Sequence, residues 1–236
     1  MAEVREQFIA ELGHDLRNPL FAITAGAELL VQRLTEQKHQ ALAKHILTCG
    51  QRASNLVRDV LDFARGRLGS GIALAQQPCH DLAEVLRHVA SELQRVHPQR
   101  QLQLQLGEIG GLYCDPERIA QLLSNLIANA LVHGDPQGTV TVGANIHDGH
   151  FLLSVHNLGE PIPAQTLAQL FQPFTRIRAT AHQQGLGLGL YIAKQIALAH
   201  GGHMQVASSL AGGTVFSFHL AVDRPETAIQ ALLPEQ

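Results

Sequence analysis

Between Phe8 and Leu34, apolar side chains recur at Ile9, Leu12, Leu16, Leu20, Ile23, Ala27, Leu30 and Leu34. Steps of three and four place them as one stripe on a helix. From Leu42 the series Leu42, Ile46, Cys49, Ala53, Leu56, Val60 and Phe63 alternates four and three, a heptad seam suited to close helix packing. The polar stretch from Thr35 to Gln40 is short, which predicts an antiparallel hairpin. Two helices alone cannot enclose both stripes, so the pattern predicts two hairpins pairing into a dimeric four-helix bundle. The first helix starts almost at Met1 without an evident cap, the pattern of a helix continued from an upstream segment.

Gly66 to Ser70 breaks the periodicity, and a second domain is expected to begin near Gly69 to Ala75. Asp81 to Val96 predicts a helix, and the alternating Gln101 to Leu106 predicts a half-buried strand. Asp115-Pro116-Glu117 supplies an N-cap and a proline at N1 for the next helix. Thr139 to Ile146 and Phe151 to Val155 predict paired strands. Tyr191 to Ala199 predicts a helix stopped by Gly201-Gly202, and Met204 to Ala207 and Thr214 to Leu220 predict final strands. The order implies an α+β chain: a helical hairpin over 1–70, an α/β sandwich over 71–222 and a loose tail over 223–236.

Composition narrows the function without naming it. The 236 residues, 45% hydrophobic, suffice for one or two globular cores. A net charge of -3 without like-charge blocks gives no reason to expect nucleic acid or an anionic membrane as partner. The three cysteines form no Cys-x-x-Cys pair and suit a reducing cytoplasm. No stretch approaches the roughly 20 apolar residues of a membrane span, so the expected location is cytoplasmic, with a parent protein free to be membrane-associated. Among the histidines, His147/His150 and His200/His203 lie in polar or Gly-rich, turn-like sequence and are expected as scattered surface residues rather than metal ligands.

His14 is different. It lies two residues from Leu12 and Leu16, roughly 200° around a helix from each, and is expected to face solvent. Asp15 is placed to accept a hydrogen bond from Nδ1–H, leaving the Nε2 lone pair free to attack a γ-phosphate. Asn18 lies one turn on, where an amide orients a water molecule, and Pro19 loosens the helix beside the reactive group at a cost of about 3 kcal/mol. The run Phe8-Ile9-Ala10-Glu11-Leu12-Gly13-His14-Asp15-Leu16-Arg17-Asn18-Pro19-Leu20 resembles the H-box of sensor histidine kinases. The resemblance implies that His14 is phosphorylated, that Asp15 is its acid/base partner and that Asn18 positions water during dephosphorylation of a response regulator.

In the helix after Asp115, Asn125, Asn129 and His133 recur every four residues on a stripe apart from the apolar face. Such amides either satisfy a sheet-facing helix or share a magnesium ion with phosphate oxygens, Asn129 then being the metal ligand. Gln121 to Ala130 resembles the kinases' N-box, with Val132 where a lysine is common. His156-Asn157-Leu158-Gly159-Glu160-Pro161-Ile162-Pro163 resembles the first glycine box. Asn157 replaces the usual aspartate there, and its carbonyl can still accept from the adenine amino group. Leu170-Phe171-Gln172-Pro173-Phe174-Thr175-Arg176 resembles the F-box that hinges a lid, although two such phenylalanines serve equally as core anchors. Gly185-Leu186-Gly187-Leu188-Gly189-Leu190 opens a helix as a phosphate cradle does. It follows no first strand and so departs from dinucleotide-binding sequences, and it resembles the second glycine box.

The resemblance implies a dimerisation and histidine phosphotransfer domain followed by an ATP-binding domain of the GHKL fold shared with DNA gyrase B and MutL. ATP and Mg²⁺ are the implied cofactors. The ATP-binding residues it implies are Asn125, Asn129, His133, Asn157, Gly159, Ile162, Phe171, Phe174, Arg176, Gly185, Gly187, Gly189 and Leu190. The implied partners are a second copy and a response-regulator receiver domain. Two rivals remain at this stage: a phosphatase-biased enzyme, given Val132 and Asn157, and a degenerate kinase acting as a dimeric binding module.

Overall fold

The computed structural model describes residues 2–68, 71–175 and 186–222. The chain divides into two compact units, Met1–Ile72 and Ala73–Gln236. The first holds two long helices, α1 (Ala2–Arg33) and α2 (Gln37–Leu68), packed against each other as a hairpin. The connection is shorter than the sequence predicts because α2 already begins at Gln37. There Gln40 Nε2 donates to the Leu34 carbonyl at 2.6 Å, tying the turn.

The face that closes this hairpin is not the heptad seam. Ala43, Gly50 and Leu61 are buried, with Leu47, Ser54 and Val57 half-buried beside them, a series displaced by one residue from Leu42, Ile46, Cys49, Ala53, Leu56 and Val60. Gly50 lets the helices approach closely, since a Cβ there would meet Thr24 Cγ2 at 2.7 Å. The seam itself stays largely open in the single chain: Leu42, Ile46, Leu56 and Val60 on α2, and Leu16, Ile23 and Leu30 on α1, are exposed.

The second unit contains β1 (Gln77–Cys79), α3 (Leu82–Val96), β2 (Gln101–Leu106), β3 (Leu112–Cys114), α4 (Pro116–His133), β4 (Thr139–His147), β5 (His150–Asn157), α5 (Ala164–Leu167), α6 (Gly189–Ala199), β6 (His203–Ser209) and β7 (Gly213–Ala221). Five strands form one sheet in the order β2-β4-β5-β7-β6, parallel between β2 and β4 and antiparallel elsewhere. Alternation sets its faces. Val140, Val142, Phe151, Leu153, Val155, Phe216 and Phe218 turn inward and are fully buried, while their neighbours face outward. Helices α3, α4 and α6 cover the inner face, with α4 between the other two. Its Leu122, Leu123, Leu126 and Ile127 are sealed completely, each worth roughly 1.5–3 kcal/mol in removal from water.

Asp115 starts α4 as expected: its side chain accepts from Arg118 N at 3.0 Å, and Pro116 follows at N1. The sequence reading omits β1 and β3, a two-stranded antiparallel pair, because three-residue strands carry too few positions to show alternation. It also omits the single turn α5. Asp81 precedes α3 without a side-chain cap bond; its carboxylate accepts from Cys79 Sγ at 3.3 Å instead. The tail 223–236 lies outside the described residues.

Candidate functional site

In the first unit, α1 carries His14 on its open surface, with 72% of the side chain exposed. Nδ1 lies 3.4 Å from Asp15 Oδ1, a long contact between two exposed groups. Asn18 Nδ2 is 3.3 Å from both ring nitrogens, so in this conformation the amide meets the imidazole itself. Pro19 lies inside the helix and removes the N–H that would serve the Asp15 carbonyl.

In the second unit a cleft of about 130 Å³ is lined by Asn129, His133, Asn157, Glu160, Pro161, Ile162, Pro163 and Thr214. Asn129 and His133 come from the last turns of α4, and Asn157 from the end of β5. The buried Asn157 amide donates to the Leu158 carbonyl at 3.1 Å, which leaves its own carbonyl as the acceptor. Close packing brings these elements together: a Cβ on Gly134 would lie 2.9 Å from Asn157 Nδ2 and 2.5 Å from the Ala130 carbonyl. Asp135 N donates to the Leu158 carbonyl at 2.7 Å, holding Gly159 beside the end of α4. Ile162 N donates to Ser208 Oγ at 2.9 Å, and Ser208 pairs with Thr214 at 2.8 Å. Thr214 is opposite Asn157 in the β5/β7 register.

Beside this cleft Asn125 faces Gly189, its amide about one van der Waals contact from the Gly189 Cβ position. Its Nδ2 is buried without a hydrogen-bond partner among the described residues, an arrangement costing roughly 1–3 kcal/mol unless a ligand supplies an acceptor. Leu188 gives the first turn of α6 no side-chain cap among the described residues, and the positive end of the helix suits an anion. Phe174 N donates to the Gly187 carbonyl at 3.0 Å, and Gly187 takes a φ of +69°, with Thr175 O 3.0 Å from a Cβ there. This clasp ties together residues on either side of positions 176–185. Arg176 and Gly185 lie outside the described residues. Phe171 is not part of the cleft lining; it stacks edge-on to Phe216 at 6.2 Å with Lys194 Nζ 5.9 Å from its ring centroid. Leu190 sits in the first turn of α6.

Comparison with known proteins then decides the family. Residues 4–69 match the His Kinase A phospho-acceptor domain, and residues 114–224 match the histidine kinase-, DNA gyrase B- and HSP90-like ATPase. The chain belongs to the sensor histidine kinases. It is 36% identical over 206 residues to the bacteriophytochrome of Pseudomonas aeruginosa, covering 86% of this chain and 28% of that protein. To the adaptive-response sensory kinase SasA of Synechococcus elongatus it is 30% identical over 230 residues, covering 93% and 59%. The structure of full-length ShkA in complex with AMPPNP matches 92% of this chain and 46% of that one, with a TM-score of 0.67 and 28% identity. This histidine kinase core therefore spans between about a quarter and three-fifths of the length of such relatives.

The kinase core brings Asn129, His133, Asn157 and Ile162 to one cleft, and places Asn125, Gly187, Gly189 and Leu190 at the α6 end beside it. Four lining residues escaped the sequence reading. Glu160, Pro161 and Pro163 were legible within the first glycine box. Thr214, far along the chain, is found only from strand register. No group of three or more His, Cys, Asp or Glu side chains converges on a metal position among the described residues, and no described helix is long and apolar enough to cross a membrane.

Proposed function

We propose that this histidine kinase core transfers the γ-phosphoryl group of ATP to His14 and then donates it to an aspartate of a separate response-regulator receiver domain. The observation that carries the reading is the exposed His14 ring with a carboxylate at 3.4 Å. In the Nδ1–H tautomer Asp15 holds the proton side of the ring. Nε2 then attacks phosphorus, the Nε2–P bond forms as the bond to the ADP oxygen breaks, and Asp15 stabilises the positive charge that develops on the ring. Asn18 must release Nε2 for this step, and the same amide is suited to orient water for hydrolysis of the phosphoryl group on the response regulator's aspartate.

The nucleotide's place is supported by the orphaned Asn125 amide, the α6 N-terminus and the cleft. The Asn157 carbonyl and Thr214 serve the adenine end; Asn125, Gly187, Gly189 and Leu190 serve the phosphates, together with Arg176 and Gly185. Gly159 and Ile162 shape the wall, His133 closes it, and Phe171 and Phe174 anchor the segment between. The residues fit magnesium: Asn129 offers a hard amide oxygen, and Mg²⁺ keeps most of its other ligands as water and phosphate. Bound there, the ion would neutralise phosphate charge.

We assign residues 1–70 as the dimerisation and phosphotransfer domain, 71–222 as the ATP-binding domain and 223–236 as a tail. The exposed heptad seam supports a homodimer, and the greater length of the relatives supports an upstream sensor region. The phosphatase-biased and purely binding readings are not favoured, since both catalytic domains match. Incubation with γ-labelled ATP and Mg²⁺ tests the proposal: an acid-labile label is expected on the wild type and none on His14→Gln. Equal labelling of the two would overturn it.

A further inference from the structure

Helices α4 and α6 lie side by side in opposite directions, touching at two levels. At one end Asn125 meets Gly189; at the other, Asp115 N donates to Nε2 of His200 at 3.1 Å. The two spans match, since ten residues of α4 and eleven of α6 each measure about 15–17 Å. His200 is buried and ends α6, where its Nδ1 lies 2.8 Å from the Ile196 carbonyl. An acceptor on one nitrogen and a donor on the other define one species, the neutral Nδ1–H tautomer: Nδ1 donates to Ile196 O while Nε2 accepts from Asp115 N. The Phe218 ring lies in a T-shaped arrangement with the imidazole, 6.4 Å between centroids. Asp115 is itself fixed on three sides, accepting from Arg118 N at 3.0 Å and from Ala75 N at 2.8 Å besides donating to the ring.

We propose that His200 is a positioning residue for the nucleotide site: it locks the axial register of α6 against α4, and so fixes the α6 N-terminus relative to Asn125 and Asn129. The role rests on the nucleotide reading above. A slide of α6 along α4 moves Gly189 and Leu190 as a unit with the helix, so a strut at the far end controls the phosphate-facing end. Burial holds the His200 pKa below the ordinary histidine value, in keeping with a ring that stays neutral at physiological pH. The sequence pattern places this histidine among scattered surface residues; the structure corrects that, because the ring is enclosed where α6 meets the start of α4.

The test uses the whole chain. Nitrogen NMR of wild type at neutral pH is expected to show His200 with a protonated Nδ1 and an unprotonated Nε2, the less common tautomer in water; a protonated Nε2 would overturn the proposal without any variant. His200→Leu, checked for folding by circular dichroism, is expected to bind Mg-ATP roughly tenfold more weakly. His200→Gln, whose amide oxygen can accept from Asp115 N, is expected to recover part of that loss. A folded Leu variant with wild-type affinity, or a Gln variant as weak as Leu, would overturn the role while leaving the nucleotide reading intact. Absence of Mg-ATP binding by the wild type would instead overturn that reading, and this role with it.

Discussion

The two units solve the burial problem in opposite ways. The ATPase unit closes its core within one chain: ten or more large side chains, from Leu122 and Leu126 on α4 to Phe151 and Phe216 on the sheet, have no measurable exposure. Among its described residues the hairpin buries Ala27, Ala43 and Gly50 with one large apolar side chain, Leu61, and leaves Leu42, Leu56 and Val60 in solvent. Small residues let two helices approach, but they remove little apolar surface from water. The difference shows where each unit finds its stability: one in its own fold, the other in a surface that a second hairpin would cover.

The largest effect should come from the closed core. Leu126→Ala removes a fully buried side chain and is expected to cost about 3–5 kcal/mol, lowering the ATPase unit's calorimetric midpoint by roughly 10 °C. An equal shift in the hairpin's helical transition would break the distinction between the units. A paired substitution on the open seam, Leu56→Lys with Val60→Glu, should act on the other unit. It is expected to weaken dimerisation about 100-fold, measured by sedimentation across dilution, because charge on both turns opposes burial. Nucleotide affinity should remain within about twofold of wild type. Dimers of unchanged stability would show that the seam is not the covered surface.

The same contrast explains what the sequence could reveal. His14, Asp15, Asn18 and Pro19 are neighbours along one helix, so their chemistry is written in consecutive positions. The α4 stripe was equally legible because a helix converts a spacing of four into proximity. Two adjacent series on α2 are harder to separate: 42/46/49/53/56/60 and 43/47/50/54/57/61 have the same period, and only packing tells which one closes the hairpin. Thr214 joins Asn157 through pairing of β5 with β7, and His200 reaches Asp115 across 85 residues. Such partners depend on strand register and helix docking, which local patterns do not specify.

The smallest expected effect sharpens the account of the hairpin. Asp59 on α2 has its pKa raised from 3.8 to about 6, first by burial and then by the neighbouring Asp62 carboxylate, with Arg58 pulling the other way. A carboxyl whose folded value exceeds its unfolded value stabilises the fold below pH 4, and that contribution is lost as the pH rises through about 6. Asp59→Asn keeps the neutral shape at every pH, so it should match wild type near pH 3.5 and melt at a higher temperature at pH 8. Circular dichroism melts at the two pH values provide the check. A lower midpoint for the variant at pH 8 would mean that the ionised Asp59 gains a cationic neighbour in the assembled bundle, and that the paired hairpins reorganise charge as well as bury the seam.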